Sequence, residues 1–415
     1  MFKIKEVRAR QVLDSRGNPT VEAEVHTAKF SGSAIVPSGA STGIHEAVEL
    51  RDGGKEYLGF GVLRAVDNVN TRISRKLNGL DVREQEKIDK AMITLDGTAN
   101  KKSLGANAIL AASMACARCA ANSLNKPLYR YIGGSANPVM PTPFMNVING
   151  GKHADNGLSF QEFMIVPKAN SFAERLRIGS EVYHVLKGII RKRFGSSSTN
   201  VGDEGGFAPA IKRVEEPFIL LQKTLDKLGY SNDVKFAMDC ASSEFYNAKK
   251  RHYLVDGKKM DAEKLARLYA RLAEDYPIVS IEDPFAQDDW IPWIQFTKDH
   301  GRKIQVVGDD LLVTNPVRIH HAVDMRACNA LLLKVNQIGS LTEAIKAAKV
   351  SLGNKWNVMV SHRSGETEDT FIADLAVGLG TGQLKSGAPC RTERVAKFNR
   401  LLRIEEELND KKRRK

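Results

Sequence analysis

The chain has 415 residues, 42% of them hydrophobic and 27% charged, with a formal net charge of +13. This balance excludes a mostly disordered, collagen-like or disulfide-stapled chain, and the length suits two or three domains or one large barrel with a smaller unit attached. The excess charge points to polyanionic company, nucleic acid or an anionic substrate, but apart from the basic run 411–415 it is scattered, as on a solvated basic surface.

From the start of the chain, Met1 to Glu6 carries charges where a secretory signal needs an apolar stretch, and no run of 18 apolar residues follows. The expectation is a cytoplasmic protein without a membrane span. Phe2 to Val36 alternates in short runs around Ser15-Arg-Gly-Asn-Pro19, which predicts antiparallel strands. Helical spacing then covers Gly61–Leu77, Arg83–Ile93 and Gly105–Asn122, so the first 133 residues read as a small α+β domain. Cys116 and Cys119 form a CxxC inside the last, Ala-rich helix; with no second pair and no nearby His, they read as core. A Gly/Ser-rich loop, Pro37 to Gly43, interrupts this pattern, and the proline-rich stretch Gly134–Pro143 leads into a second domain, 134–415.

In that second domain six short apolar runs each end in a polar residue able to do chemistry. They close on Asp239, Glu282, Asp309, Lys334, His362 and Lys385, separated by 43, 27, 25, 28 and 23 residues, with helical patterns between them. A buried strand, a crossover helix and a return need about that length, roughly 25 residues and upward. Reactive groups at every strand's C-terminal end predict a TIM-type α/β barrel with its site at that mouth, rather than an open sheet with one switch point.

Three of these ends are acidic. Asp239, Glu282 and Asp309, side by side around a barrel mouth, would repel one another unless a cation sits among them, and an all-oxygen set suits magnesium. The next ends are cationic: Lys334 follows three leucines and is a candidate base, Arg363 and Ser364 offer a fork and a hydroxyl for a phosphate, and Lys385 completes the ring. Glu204 sits in the glycine-rich turn Val201-Gly-Asp-Glu-Gly-Gly206; His153 and the pair Gln161-Glu162 add an imidazole and a further carboxyl. Neither a phosphate loop, a dinucleotide fingerprint nor a nucleophile elbow is present. The set suits proton removal beside a carboxylate.

Long stretches carry a resemblance: Asp14-Ser-Arg-Gly-Asn-Pro-Thr-Val-Glu22, Pro37-Ser-Gly-Ala-Ser-Thr-Gly43, Val201 to Gly206, Leu332-Leu-Lys-Val-Asn-Gln-Ile-Gly339 and Ser361-His-Arg-Ser-Gly-Glu-Thr-Glu-Asp369 resemble the enolase family across nearly the whole chain. The pairing of a lysine base with magnesium in that superfamily is a standard example of tuned acid–base chemistry. The resemblance implies dehydration of 2-phosphoglycerate to phosphoenolpyruvate in glycolysis, and the reverse in gluconeogenesis, in a barrel that opens with an antiparallel β-hairpin. It implies two magnesium ions, one held by Asp239, Glu282 and Asp309 and one arriving with substrate and held by Ser41. Lys334 is then the base and Glu204 the acid, with His153, Glu162 and His362 also catalytic. Gln161, Ser361, His362, Arg363, Ser364 and Lys385, with Glu282 and Asp309, contact substrate. It also implies a homodimer, or an octamer. Two competing readings are weighed against it: a dehydratase of a non-phosphorylated sugar acid in the same superfamily, and a nucleic-acid-binding protein on this scaffold using its basic surface and tail.

Overall fold

The computed structural model describes residues 1–39, 43–154 and 156–413. The chain begins with an antiparallel sheet, β1 (Glu6–Leu13), β2 (Pro19–His26) and β3 (Ser31–Ile35), joined by the turn the Gly-Asn-Pro segment predicts. The helix Ala106–Ser123 lies across it, with every residue from Ala106 to Ala117 buried. Its approach is close enough that a Cβ on Gly32 would stand 2.3 Å from the Cys119 backbone nitrogen. Small side chains are therefore needed on both surfaces. Cys116 and Cys119 are buried free thiols in this contact, as the Ala-rich context predicts.

The predicted helix over 61–77 forms as Leu63–Asn68, a wider turn Val69–Ile73 and Ser74–Leu77. The one predicted over 83–93 runs Gln85–Asp96, stopped by the left-handed Gly97.

The second unit is a closed eight-stranded barrel. Its strands are β4 (Thr142–Asn149), β5 (Glu162–Pro167), β6 (Val234–Asp239), then, after a small sheet of β7 (Tyr246–Asn247), β8 (His252–Val255) and β9 (Lys258–Met260), the strands β10 (Ile278–Glu282), β11 (Gln305–Gly308), β12 (Ala330–Leu333), β13 (Asn357–Ser361) and β14 (Gly382–Lys385). All neighbours pair in parallel except β5, which runs antiparallel to both β4 and β6. The expected α/β barrel opening with an antiparallel hairpin is thus what the chain forms. β4 begins at Thr142, inside the stretch read as a leader into the second domain.

A small apolar layer fills the inside of the barrel: Phe144, Met164, Val166, Ala237, Val307, Ala330, Leu332 and Met359. Because side chains alternate along a strand, the residue two further on points the same way. Two steps from this layer bring Ala237 to Asp239, Val307 to Asp309, Leu332 to Lys334 and Met359 to Ser361. On the reversed strand the step runs backward, from Met164 to Glu162. The register pairs Glu162 directly with Asp239. The strand that runs the other way therefore delivers its carboxyl to the same mouth from its first residue.

Candidate active site

Eleven side chains line one small cavity of about 20 Å³ at that mouth: His153, Gln161, Glu162, Glu204, Asp239, Lys334, Ser361, His362, Arg363, Ser364 and Lys385. Every one was singled out from sequence. Glu282 and Asp309 stand beside them, buried and bonded to the two lysines. Ser41 lies outside the described residues.

Lys385 is the hub. Its Nζ lies 2.9 Å from both oxygens of Glu282, 3.2 Å from Asp239 Oδ2 and 3.1 Å from Glu162 Oε2. Burial disfavours the ammonium, but Asp239, Glu162 and Glu282 outweigh it and hold Lys385 well above the usual lysine range. Glu282 is itself pushed well up, first by burial and then by the charge on Asp239.

Lys334 reaches Asp309 Oδ2 at 2.5 Å, and the other oxygen of Asp309 accepts from Gln337 Nε2 at 2.8 Å. Burial alone would depress Lys334 and favour the neutral amine that a base needs. The adjacent Asp309 carboxylate reverses the sign and raises it. Asp309 is correspondingly lowered, Lys334 overriding the burial that would raise it. Lys334 is thus an ammonium here and must shed a proton before it can act as a base.

Across the mouth, Glu162, Glu204 and His153 form a second group. His153 Nδ1 stands 3.5 Å from Glu162 Oε1 and 3.7 Å from Glu204 Oε1. Burial, then the charge on Glu204, pushes Glu162 well above the carboxylate range. Glu204 is held well below it: burial opposes, but the His362 and His153 imidazoles and Arg394 prevail. Its Oε2 also accepts from Asn146 Nδ2 at 3.0 Å and faces His362 Nε2 at 3.3 Å. The turn that carries Glu204 packs hard on its support; a Cβ at Gly206 would fall 2.0 Å from Asn149 Oδ1.

Arg363 forks onto Glu46, Nη1 to Oε2 at 2.9 Å and Nη2 to Oε1 at 3.2 Å, and also reaches Asn336 Oδ1 at 3.0 Å. Glu46 belongs to the small domain, so the cationic side of the mouth is built by both units. Ser361 Oγ donates to the His362 carbonyl at 2.9 Å.

Among the described residues, two groups could hold a cation by their spacing: His153, Glu162 and Glu204, and Asp283, Asp309 and Asp310. The expected trio is divided, with Asp239 and Glu282 converging on the Lys385 ammonium and Asp309 turned to Lys334. A positive charge already held at hydrogen-bond distance by Asp239 and Glu282 is the physical sign that these oxygens accommodate a cation.

Comparison with known proteins decides the family. Residues 4–132 match the model described as Enolase, N-terminal domain, and residues 137–414 the Enolase, C-terminal TIM barrel domain. The enolase of Thermococcus kodakarensis is 58% identical over 410 residues, 98% of this chain and 95% of that protein. Those of Methanocaldococcus jannaschii and Pyrococcus furiosus are 57% and 56% identical over similar spans. The chain belongs to the enolase family. It is an enzyme, a carbon–oxygen lyase of the phosphopyruvate hydratase kind. Among its described residues no helix is long and apolar enough to cross a membrane.

This enolase-family site contains residues the sequence reading passed over. Asp283 follows Glu282 and shapes the next strand's end, its two oxygens accepting the Asp309 and Asp310 amides at 2.9 Å each. Burial, then Asp309, lifts Asp310 to about 8. Arg394 and Lys397, both without exposed surface, brace the loop that carries His362 to Ser364. Their signal was present: on the helix Thr392–Arg413 they share the buried stripe with Phe398, Leu401 and Ile404. Cations on an apolar stripe mark partners beneath the helix.

Proposed function

We propose that the chain catalyses the magnesium-dependent, reversible dehydration of 2-phosphoglycerate to phosphoenolpyruvate in glycolysis and gluconeogenesis. The carrying observation is the order of strands around the mouth: β12, which leads into Lys334, stands opposite β5, which begins at Glu162, with β13 and β14, which lead to Arg363 and Lys385, between them. Elimination across a carbon–carbon bond needs a base at one carbon and an acid at the next, on opposite sides of the substrate.

Asp239, Glu282 and Asp309 would hold one magnesium and Ser41 a second. When bound, the ions supply Lewis-acid stabilisation of the negative charge that develops on the substrate carboxylate. Lys334, once neutral, takes the proton from C2. The departing 3-hydroxyl takes a proton from Glu204. Glu204 must hold that proton first; Glu162, pushed above the carboxylate range by burial and by the Glu204 charge, stands with it around His153, whose Nδ1 is within 3.7 Å of both carboxyls. Arg363 exchanges its fork on Glu46 for the phosphate, with Ser364 beside it, since a guanidinium matches carboxylate and phosphate alike. Gln161, Ser361, His362 and Lys385 complete the contacts. The small domain, 1–133, serves as a cap on the barrel domain, 134–415, and the working unit is a cytoplasmic homodimer.

The test is an absorbance assay for phosphoenolpyruvate formation from 2-phosphoglycerate. Activity with magnesium and its loss with chelator are expected. Turnover of a non-phosphorylated sugar acid in its place would overturn the reading.

A further inference from the structure

One buried cation touches both halves of the acidic side of the site. Arg394, on the first turn of the helix Thr392–Arg413, has no exposed surface. Its Nη1 reaches His362 Nδ1 at 2.6 Å and the Arg363 carbonyl at 2.5 Å; its Nη2 reaches the Ser364 carbonyl at 2.5 Å and the Asp203 carbonyl at 2.9 Å. The first three partners belong to the loop after β13, and the fourth belongs to the turn that carries Glu204. One guanidinium therefore fixes the distance between His362 and Glu204.

The contact also has a direction. A guanidinium has only donors, so the atom it meets on the imidazole must accept. Nδ1 of His362 therefore carries the lone pair. A neutral imidazole has one N–H, and here it is on Nε2, the atom 3.3 Å from Glu204 Oε2. The opposite tautomer would set an N–H against the Arg394 N–H and a lone pair against the Glu204 carboxylate.

We propose that Arg394 is a positioning residue that locks His362 in its Nε2–H tautomer, so that His362 presents a donor to Glu204 and holds that carboxyl in the orientation that serves the leaving hydroxyl. The proposal rests on the dehydration reading for what Glu204 does, but not for the tautomer itself.

Nitrogen-15 NMR of the ligand-free protein labelled at histidine tests the tautomer directly, with His362→Gln used to assign the signal. Wild type should show Nδ1 with the deshielded shift of an unprotonated nitrogen and Nε2 with that of an N–H. Arg394→Lys, which keeps a donor, should retain this pattern, whereas Arg394→Met should shift toward Nδ1–H or a mixture. In kinetics, Arg394→Met should lose about 10²-fold in phosphoenolpyruvate formation while C2 proton exchange falls only a few-fold, because the removed help acts on the acid step. Arg394→Lys should recover much of that loss. Should Arg394→Met not fold, the wild-type spectrum and Arg394→Lys still decide the matter. A protonated Nδ1 in active wild type would overturn the inference, as would equal loss of both steps with an unchanged tautomer. An enzyme with the expected tautomer but no phosphoenolpyruvate formation would instead overturn the reaction reading.

Discussion

At Lys385 a single ammonium is shared by Glu162, Asp239 and Glu282, all nearly inaccessible to water. Removing a buried partner leaves uncompensated charge, at a cost of about 3–5 kcal/mol. Lys385→Met should therefore lower the melting temperature in chelator. Because magnesium would relieve the same repulsion, its addition should raise Tm more in the variant than in wild type; an equal or smaller rise would mean that these carboxylates do not take up the ion. The lysine also shows where reading residues alone fell short. Lys385 and Lys334 were both legible as strand-end cations, but the sign of the Lys334 shift was not. It depends on Asp309, 25 residues earlier in sequence and 2.5 Å away in space.

Elements explain which parts of the site were readable. β6, β10 and β14 end on the predicted residues Asp239, Glu282 and Lys385, and β11, β12 and β13 stop one residue short of Asp309, Lys334 and His362. Each of these strands places its chemistry where the run stops. β5 escaped the pattern because it is reversed: Glu162 precedes its apolar run, so a search for terminal polar residues passes it by. Another element-scale feature joins the domains. Arg118, on the Ala106–Ser123 helix, makes two bonds to Asp369, at 2.6 and 2.7 Å, and a third to the Ser33 carbonyl at 2.6 Å. Asp369 also accepts the Ile35 amide at 2.9 Å. Burial would raise the Asp369 carboxyl, but Arg118 holds it below the usual range. A carboxyl lowered on folding stabilises the protein above its unfolded pKa, near 3.9, and loses that contribution as pH falls through the folded value. Asp369→Asn should cost about 2–3 kcal/mol at neutral pH, from bonds to a charged group. The gap between variant and wild type should narrow as pH is lowered below about 4. A gap that stays constant in denaturant titrations down that range would show that the pair does not titrate with folding.

For the whole molecule, the small domain completes the mouth of the barrel. Glu46 occupies the Arg363 fork, and Ser38 and Gly365 exchange backbone bonds at 2.8 Å across the boundary. The sequence connected the Gly/Ser loop to the distant site only through resemblance, since no local spacing relates residue 46 to residue 363. The same gap hid Arg394, whose partners lie in two loops some 30 and 190 residues earlier. What spacing could reveal was each strand's own contribution to the ring. The central claim is that this ring separates two proton transfers, Lys334 serving C2 and Glu204 the hydroxyl. It is tested most directly by following 2-phosphoglycerate in deuterated water with magnesium, reading C2 exchange and phosphoenolpyruvate formation together. Lys334→Ala should abolish both, and Glu204→Gln should keep exchange near the wild-type rate while slowing dehydration by about 10²-fold or more. Equal loss of both steps in Glu204→Gln, or surviving exchange in Lys334→Ala, would contradict the assignment.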